Sequence, residues 1–157
     1  GKATLSGVEY FYWTLEAANW GKTPGLIFNN GTVQTVDITG VTLDGDKTFK
    51  LSEGTDGKLA YEAVENPVIK ITYKNEAGWD KVSMYGWGDL GDFGGWPGAE
   101  MTKEGDVWVY EIPVEHLGKS TSLIFNNGGQ GAQTVDLGPF TLNGDLDFDN
   151  SNAAIKE

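Results

Sequence analysis

The feature that most constrains this chain is an internal repeat. The segment LIFNNG occurs at residues 26–31 and again at 123–128. Downstream of it, QTVDITGVTLDGD at 34–46 is matched by QTVDLGPFTLNGD at 133–145. Two blocks repeated in the same order indicate duplication of one structural unit, so both copies are expected to share a fold.

The two copies differ in length. The second copy continues upstream through residues 67–104, and the first copy has no counterpart of that stretch. We therefore predict a partial repeat, equivalent to the C-terminal half of the module, at 1–66 and a complete module at 67–157. A half module leaves an apolar face and strand edges without partners. Docking on the complete module, completion by another chain, and strands encoded elsewhere are the three alternatives.

Short runs of alternating apolar and polar residues predict strands rather than helices. The chain has 19 aromatic residues (6 Trp, 6 Tyr and 7 Phe) and 23 glycines, a combination typical of strands joined by tight turns. Leu15–Trp20 is the one stretch that fits a helical turn. The predicted fold is an all-β antiparallel β-sandwich of the immunoglobulin-like type. Its predicted strands are 8–14, 25–29, 33–38, 41–50, 59–64, 68–74, 80–87, 106–112, 121–126, 132–137 and 140–148.

The charge of the chain limits its partners. It carries 23 acidic residues against 11 basic ones, all of them lysines, for a net charge of −12. Nucleic acids and anionic membranes are recognised by clustered positive charge, which is missing here. There is no cysteine, and no apolar run long enough to cross a membrane. A neutral polymer is the partner that this surface favours.

Aromatic residues are concentrated in one stretch of the second copy, at Tyr73, Trp79, Tyr85, Trp87, Phe93 and Trp96. Strand alternation predicts that Val82 and Met84 share one face and that Tyr85 and Trp87 lie on the other. If the aliphatic pair is buried, the aromatic pair points to solvent, where exposed rings usually bind something. The C–H face of a glucose ring packs flat on such a side chain. Trp96 is expected to anchor a packed loop instead.

A series of motifs resembles a known family over essentially all of 67–157. In order, they are Tyr-Lys-Asn (73–75), Gly-Trp (78–79), Tyr-Gly-Trp-Gly (85–88), Gly-Trp-Pro-Gly (95–98), Met-Thr-Lys (101–103), Val-Trp-Val-Tyr (107–110), Ile-Phe-Asn-Asn-Gly (124–128) and Gln-Thr-Val-Asp-Leu (133–137). This resembles the starch-binding carbohydrate-binding modules, family 26 in particular. The resemblance implies a secreted or bacterial cell-surface module that binds α-1,4-linked glucan or maltooligosaccharides without catalysis. It would direct a larger protein, such as an amylase, to starch.

The resemblance also implies where sugar binds. The platform it suggests is Tyr73 with Trp79, and polar neighbours expected at the sugar hydroxyls are Lys74, Asn75, Lys103 and Gln133. Tyr85 and Trp87 are further candidates for stacking. The first copy has no counterpart of Tyr73, Trp79 or Trp96, so it is expected to bind no starch.

Competing functions have weaker support in the sequence. A glycosidase needs two carboxylates across a cleft, and only turn residues such as Asp89 and Glu104 lie near the aromatics. The alternating Asp145, Asp147 and Asp149 lack the glycine and glutamate of a calcium-binding loop. No catalytic residue, metal or cofactor is therefore predicted. The remaining alternative is a structural or adhesion spacer whose aromatic residues are all buried.

Overall fold

The computed structural model describes residues 1–156. The chain forms two compact units: Gly1–Tyr12 together with the chain from Val68 onward, and Trp13–Pro67. Within residues 1–156 the regular structure consists of twelve strands and two short 3-10 turns, so the predicted all-β class is confirmed. Among the described residues, no helix has the length and apolarity needed to span a bilayer.

The first unit is a sandwich of two four-stranded sheets. Its strands, numbered along the whole chain, are β5 (Val68–Tyr73), β6 (Ser83–Gly88), β7 (Ala99–Glu100), β8 (Thr102–Glu104), β9 (Val107–Pro113), β10 (Ser120–Asn126), β11 (Leu137–Thr141) and β12 (Leu146–Phe148). One sheet has the order β11-β10-β6-β7 and the other β12-β5-β9-β8. Neighbouring strands are antiparallel except β12, which runs parallel to β5.

The core of this unit follows from strict alternation along β5. Ile69, Ile71 and Tyr73 are fully buried, whereas the residues between them are partly exposed. The Tyr73 ring stacks on Phe125 of β10, with centroids 4.5 Å apart and planes 5° from parallel. Met84 of β6 is buried in the same cluster. The inner faces of β5, β6 and β10 therefore carry the large apolar side chains that hold the sheets together.

An N-terminal hairpin belongs to the first unit. Its strands are β1 (Lys2–Leu5) and β2 (Val8–Phe11), and the buried side chains of Ala3 and Leu5 join the core cluster. Thr4 forms a parallel bridge with Gly144. The hairpin therefore packs with the second copy of the repeat. The division of the chain into a partial repeat at 1–66 and a complete module at 67–157 stays a prediction.

The second unit has less regular structure. It contains one hairpin, β3 (Thr48–Glu53) with β4 (Leu59–Val64), and a 3-10 turn at Ala17–Asn19, inside the predicted helical turn. The predicted strands 25–29 and 33–38 form only isolated bridges, such as Leu26 to Ile38. Thr35 also forms a parallel bridge with Leu59 of β4, but isolated bridges supply too few ladder hydrogen bonds to make these segments continuous strands.

The burial of Ile71 leads to a stability prediction. Ile71→Ala is expected to lower the free energy of unfolding by about 2–5 kcal/mol, because it opens a cavity in a fully buried cluster. Val135→Ala, at a position 39% exposed in the same unit, serves as the β-branched control and is expected to cost much less. Urea denaturation followed by tryptophan fluorescence measures both. Equal losses would contradict this description of the core.

Candidate functional site

The outer face of β6 displays two aromatic rings. Met84 faces the core, so its neighbour Tyr85 and the next alternate residue, Trp87, face outward. Their ring centroids are 6.1 Å apart and their planes are inclined by 32°. Gly86 lies between them on the inner face, where a β-carbon would come within 2.2 Å of the Phe93 ring. Tyr85 and Trp87 therefore point outward, as predicted, because Met84 and Gly86 occupy the buried face of β6.

A third ring comes from the loop that follows β6. Trp96 is 50% exposed and meets Tyr85 edge-on, with centroids 5.7 Å apart. Gly98 allows the loop to pass close to β6, because a β-carbon there would lie 2.2 Å from the Met84 carbonyl oxygen. The sequence predicts that Trp96 anchors a packed loop; the loop does pack on β6, but half of the Trp96 side chain is exposed to solvent. We call Tyr85, Trp87 and Trp96 the outer platform.

A buried asparagine fixes the loop that carries Trp96. The Asn126 side chain is fully buried; its Nδ2 donates to the Pro97 carbonyl oxygen at 2.8 Å. Its Oδ1 accepts a hydrogen bond from the Gly129 N–H at 2.9 Å. One side chain thus ties the Trp96 loop to the turn after β10. Because both of its polar ends are satisfied, Asn126 holds the platform in place at little desolvation cost.

The strand next to β6 supplies the rest of this surface. Ser122 of β10 lies opposite Trp87, and Ile124 lies opposite Tyr85. Side chains directly opposite each other on antiparallel strands share one face of the sheet. Ser122 is partly exposed and places a hydroxyl group beside the Trp87 ring. The platform therefore has an adjacent hydrogen-bonding group as well as apolar faces.

Tyr73 requires a correction, because the structure does not support its predicted role as a sugar platform. Its side chain is fully buried and its ring is stacked on Phe125, so neither face is open to a ligand. Burial raises the pKa of Tyr73 to about 12, with a further contribution from the nearby Glu76 carboxylate. The physical reason is strand phase: Tyr73 occupies the same inward-facing row of β5 as Ile69 and Ile71.

Trp79 lies in a groove separate from the outer platform residues. The ring is half-buried and packs against Tyr73 at a centroid distance of 6.1 Å. The groove has a volume of about 330 Å³ and contains two other predicted residues, Asn75 and Lys103. The Lys103 ammonium is 5.9 Å from the centroid of the Trp108 ring, which forms part of the wall. The remaining lining residues are Gly78, Asp80, Gly105 and Asp106.

The predicted polar residues have separate tasks in the structure. Asn75 closes the turn before Trp79: its Nδ2 donates to the Trp79 carbonyl oxygen at 2.7 Å, and its Oδ1 accepts from the Trp79 N–H. Lys74 is exposed and pairs with Glu76 at 3.1 Å. Gln133 accepts a backbone hydrogen bond from Lys156 and is not among the residues lining the groove. The structure thus brings Asn75, Trp79 and Lys103 together and leaves Lys74 and Gln133 outside.

The acidic stretch near the C-terminus is occupied by internal hydrogen bonds. Asp145 accepts from the backbone N–H groups of Ser6 and Lys70, at 2.6 and 2.7 Å. Asp147 accepts from the Thr72 hydroxyl at 2.5 Å. Among residues 1–156, no group of three or more side chains of metal-binding type is arranged to hold an ion. These carboxylates connect strands.

Comparison with known proteins supports the family predicted from the motifs. Residues 71–139 match the family described as Starch-binding module 26, which confirms the resemblance over that range. An α-amylase from Butyrivibrio fibrisolvens is 35% identical over 127 residues, covering 71% of this chain and 13% of that protein. A family 26 module of Eubacterium rectale Amy13K, solved in complex with maltoheptaose, aligns with a TM-score of 0.44 and 20% identity. That alignment covers 91% of this chain and 73% of the solved one.

The burial of Tyr73 predicts an unusual titration. Of the six tyrosines, Tyr73 is expected to ionise near pH 12 in the folded protein, against 10.0 for an ordinary tyrosine. Because the folded state holds this proton more tightly, its contribution to stability is complete below pH 10 and is lost between pH 10 and about 12. Ultraviolet difference spectroscopy of phenolate formation measures it. In the Tyr73→Phe variant the phenolate signal near pH 12 should be absent. If that signal persists, it does not come from Tyr73, and the burial of Tyr73 is contradicted.

Proposed function

We propose that the module matching family 26 binds α-1,4-linked glucan, such as starch chains or maltooligosaccharides, without catalysing any reaction on it. The observation that carries this proposal is the outer platform. Three aromatic side chains, Tyr85, Trp87 and Trp96, form a continuous group on the outside of one sheet, with neighbouring centroids about 6 Å apart. Rings in such a position are costly for a soluble protein unless a ligand covers them.

Glucose has the complementary chemistry. The axial C–H groups of a pyranose ring form an apolar face, while its hydroxyl groups point outward at the edge. By analogy with the stacking of bases on aromatic rings, each contact contributes roughly 1–3 kcal/mol. Two or three such contacts, together with hydrogen bonds to groups such as the Ser122 hydroxyl, correspond to micromolar to millimolar affinity. Modules of this strength act together on a polymer that offers many sites.

The charge of the protein supports a neutral ligand. With a net charge of −12 and no arginine, the chain repels phosphate groups and anionic surfaces. A glucan carries no charge and does not meet this repulsion. The rival spacer function requires the aromatic residues to be buried, whereas Trp96 is half exposed. The rival glycosidase function has no support from the outer platform, which is built from aromatic rings.

A module of this kind is useful as part of a larger protein. The curated relative is an α-amylase, of which this chain covers 13%. We propose that the module belongs to a secreted or cell-surface polypeptide that degrades or binds starch, and that it holds this polypeptide on its substrate.

The groove around Trp79 is a second proposed sugar contact. Its exposed Lys103 ammonium and the partly exposed Trp79 ring have the types of group that bind a sugar edge and a sugar face. Its floor is more polar than the outer platform, and Trp79 already uses part of its surface against Tyr73. We therefore expect the groove to contribute less affinity than the platform.

Substitution in the platform tests the proposed function. Trp87→Ala and Trp96→Ala are each expected to weaken maltoheptaose binding by about 1–3 kcal/mol, or roughly 5- to 150-fold in Kd, because each removes a stacking face. Trp20→Ala, which removes a tryptophan 68% exposed in the second unit, is the matched control and should bind normally. Isothermal titration calorimetry and affinity electrophoresis in soluble starch measure the changes. Unretarded migration of the folded wild-type protein would refute glucan binding, and release of reducing sugar would indicate an enzyme.

Lys103 tests the contribution of the groove. Lys103→Gln changes an exposed side chain, so the fold should be unaffected. If the groove contacts sugar, binding should weaken by about 2- to 10-fold, the range expected for one hydrogen bond. Unchanged affinity in this variant, alongside a loss in Trp87→Ala, would restrict the ligand to the outer platform.

A further inference from the structure

A short stretch of chain, residues 96–104, connects the outer platform to the groove around Trp79. It begins at Trp96, one of the platform rings, and it includes Lys103, which lines the groove. We call this stretch the edge segment, because it contains β7 and β8, the edge strands of the two sheets. Lys103 follows Trp96 by seven positions. An extended chain covers at most about 3.6 Å per residue, so the two α-carbons lie within about 25 Å of each other.

The edge segment is anchored to both sheets. Ala99 pairs with Met84 of β6 in one sheet, and Thr102 pairs with β9 in the other. Between them, the Met101 side chain is 3% exposed and belongs to the core cluster. The Met101 N–H donates to the Val82 carbonyl oxygen at 2.9 Å. The distance between the platform and the groove is therefore set by the packed core.

Glu100 places a carboxylate on the platform side of the edge segment. Its neighbour Ala99 lies opposite Met84, whose side chain is in the core, whereas Glu100 lies opposite Ser83. Directly opposite residues share a face of the sheet, so Glu100 is on the same outer face as Tyr85. The Glu100 side chain is exposed. An ionised carboxylate is a strong hydrogen-bond acceptor, which suits the hydroxyl groups at a sugar edge.

Farther along the edge segment, Lys103 faces the groove. It lies opposite Trp108 of β9, and its ammonium is 5.9 Å from the centroid of that ring. The next residue, Glu104, lies opposite Val107 and is therefore on the other face of the sheet. The edge segment thus offers one hydrogen-bonding side chain beside the platform, Glu100, and one inside the groove, Lys103, while Glu104 points away from both.

We propose that a single glucan chain occupies the platform and the groove together by passing along the edge segment, so that the module prefers long linear α-1,4-glucan to short maltooligosaccharides. This inference rests on the proposed glucan binding. A chain stacked on the platform holds its next glucose units close to the groove, which gives the second contact a high effective concentration. Because the fold fixes the distance between the two sites, little further ordering of the protein is needed.

The length of the ligand tests this proposal. Maltotriose has one glucose unit for each platform ring, whereas maltodecaose has further units that can reach the groove. Trp79→Ala is expected to weaken maltodecaose binding about fivefold or more, and Lys103→Gln about 2- to 10-fold. Both variants should bind maltotriose as the wild type does. Isothermal titration calorimetry measures each Kd. Comparing variant with wild type on the same oligosaccharide removes the effect of the additional registers that a longer chain offers to the platform.

Two glutamates of the edge segment form a matched pair for the path between the sites. Glu100→Ala removes the carboxylate on the platform side and is expected to weaken maltodecaose binding about 2- to 10-fold. Glu104→Ala removes the same charge four positions later, on the other face, and should leave that affinity unchanged. Equal losses in the two variants would indicate a general effect of charge and would contradict the proposed path.

The proposal is overturned if Trp79→Ala and Lys103→Gln bind maltodecaose as tightly as the wild type, or if they lose affinity equally for both oligosaccharides. Trp79 packs against Tyr73, so thermal unfolding must show that Trp79→Ala is folded; the exposed Lys103→Gln carries the test if it is not. Maltotriose binding that is weakened by Trp96→Ala, without any effect of the groove variants on maltodecaose, would leave the proposed function intact and refute only the shared chain. Failure of the wild type to bind either oligosaccharide would refute both.

Discussion

The stacking of Tyr73 on Phe125 is the contact on which the rest of the first unit depends. It joins β5 of one sheet to β10 of the other at the centre of the core, and it fixes which face of each strand is buried. Once Phe125 points inward, its partner Met84 on β6 does so as well, because the two residues are paired across the strands. Tyr85 and Trp87 are then directed to solvent. The outer platform is therefore a consequence of core packing on the opposite side of the same strand.

Part of this arrangement could be predicted from the sequence. Period-two alternation gave the all-β class and placed Tyr85 and Trp87 opposite Val82 and Met84, which are fully buried. The surface role predicted for Tyr73 came from the family resemblance, whereas alternation along β5 places Tyr73 in the same row as the fully buried Ile69 and Ile71. The role of Trp96 depends on the close approach of Gly98 to Met84 and on the buried Asn126, and both Met84 and Asn126 lie outside the loop that carries Trp96. No local pattern contains those contacts.

The first copy shows that local sequence alone does not determine where strands form. Its residues 26–31 are identical to 123–128, yet residues 25–29 form isolated bridges where β10 is a continuous strand. Intrinsic preference cannot explain this difference, because the preference is the same in both. What differs is the presence of a neighbouring strand and of an aromatic ring above Phe125. Strand formation in this fold is therefore decided by tertiary partners.

The three rings of the outer platform do not lie in one plane. Trp87 is inclined to Tyr85 by 32°, and Trp96 by 65°. A flat, ribbon-like polysaccharide presents its sugar faces in a common plane and can lie flush on only one of these rings at a time. An α-1,4-linked chain turns steadily, so successive glucose faces change direction along it. We expect the platform to distinguish polysaccharides by the curvature of the chain, before any hydroxyl group is recognised.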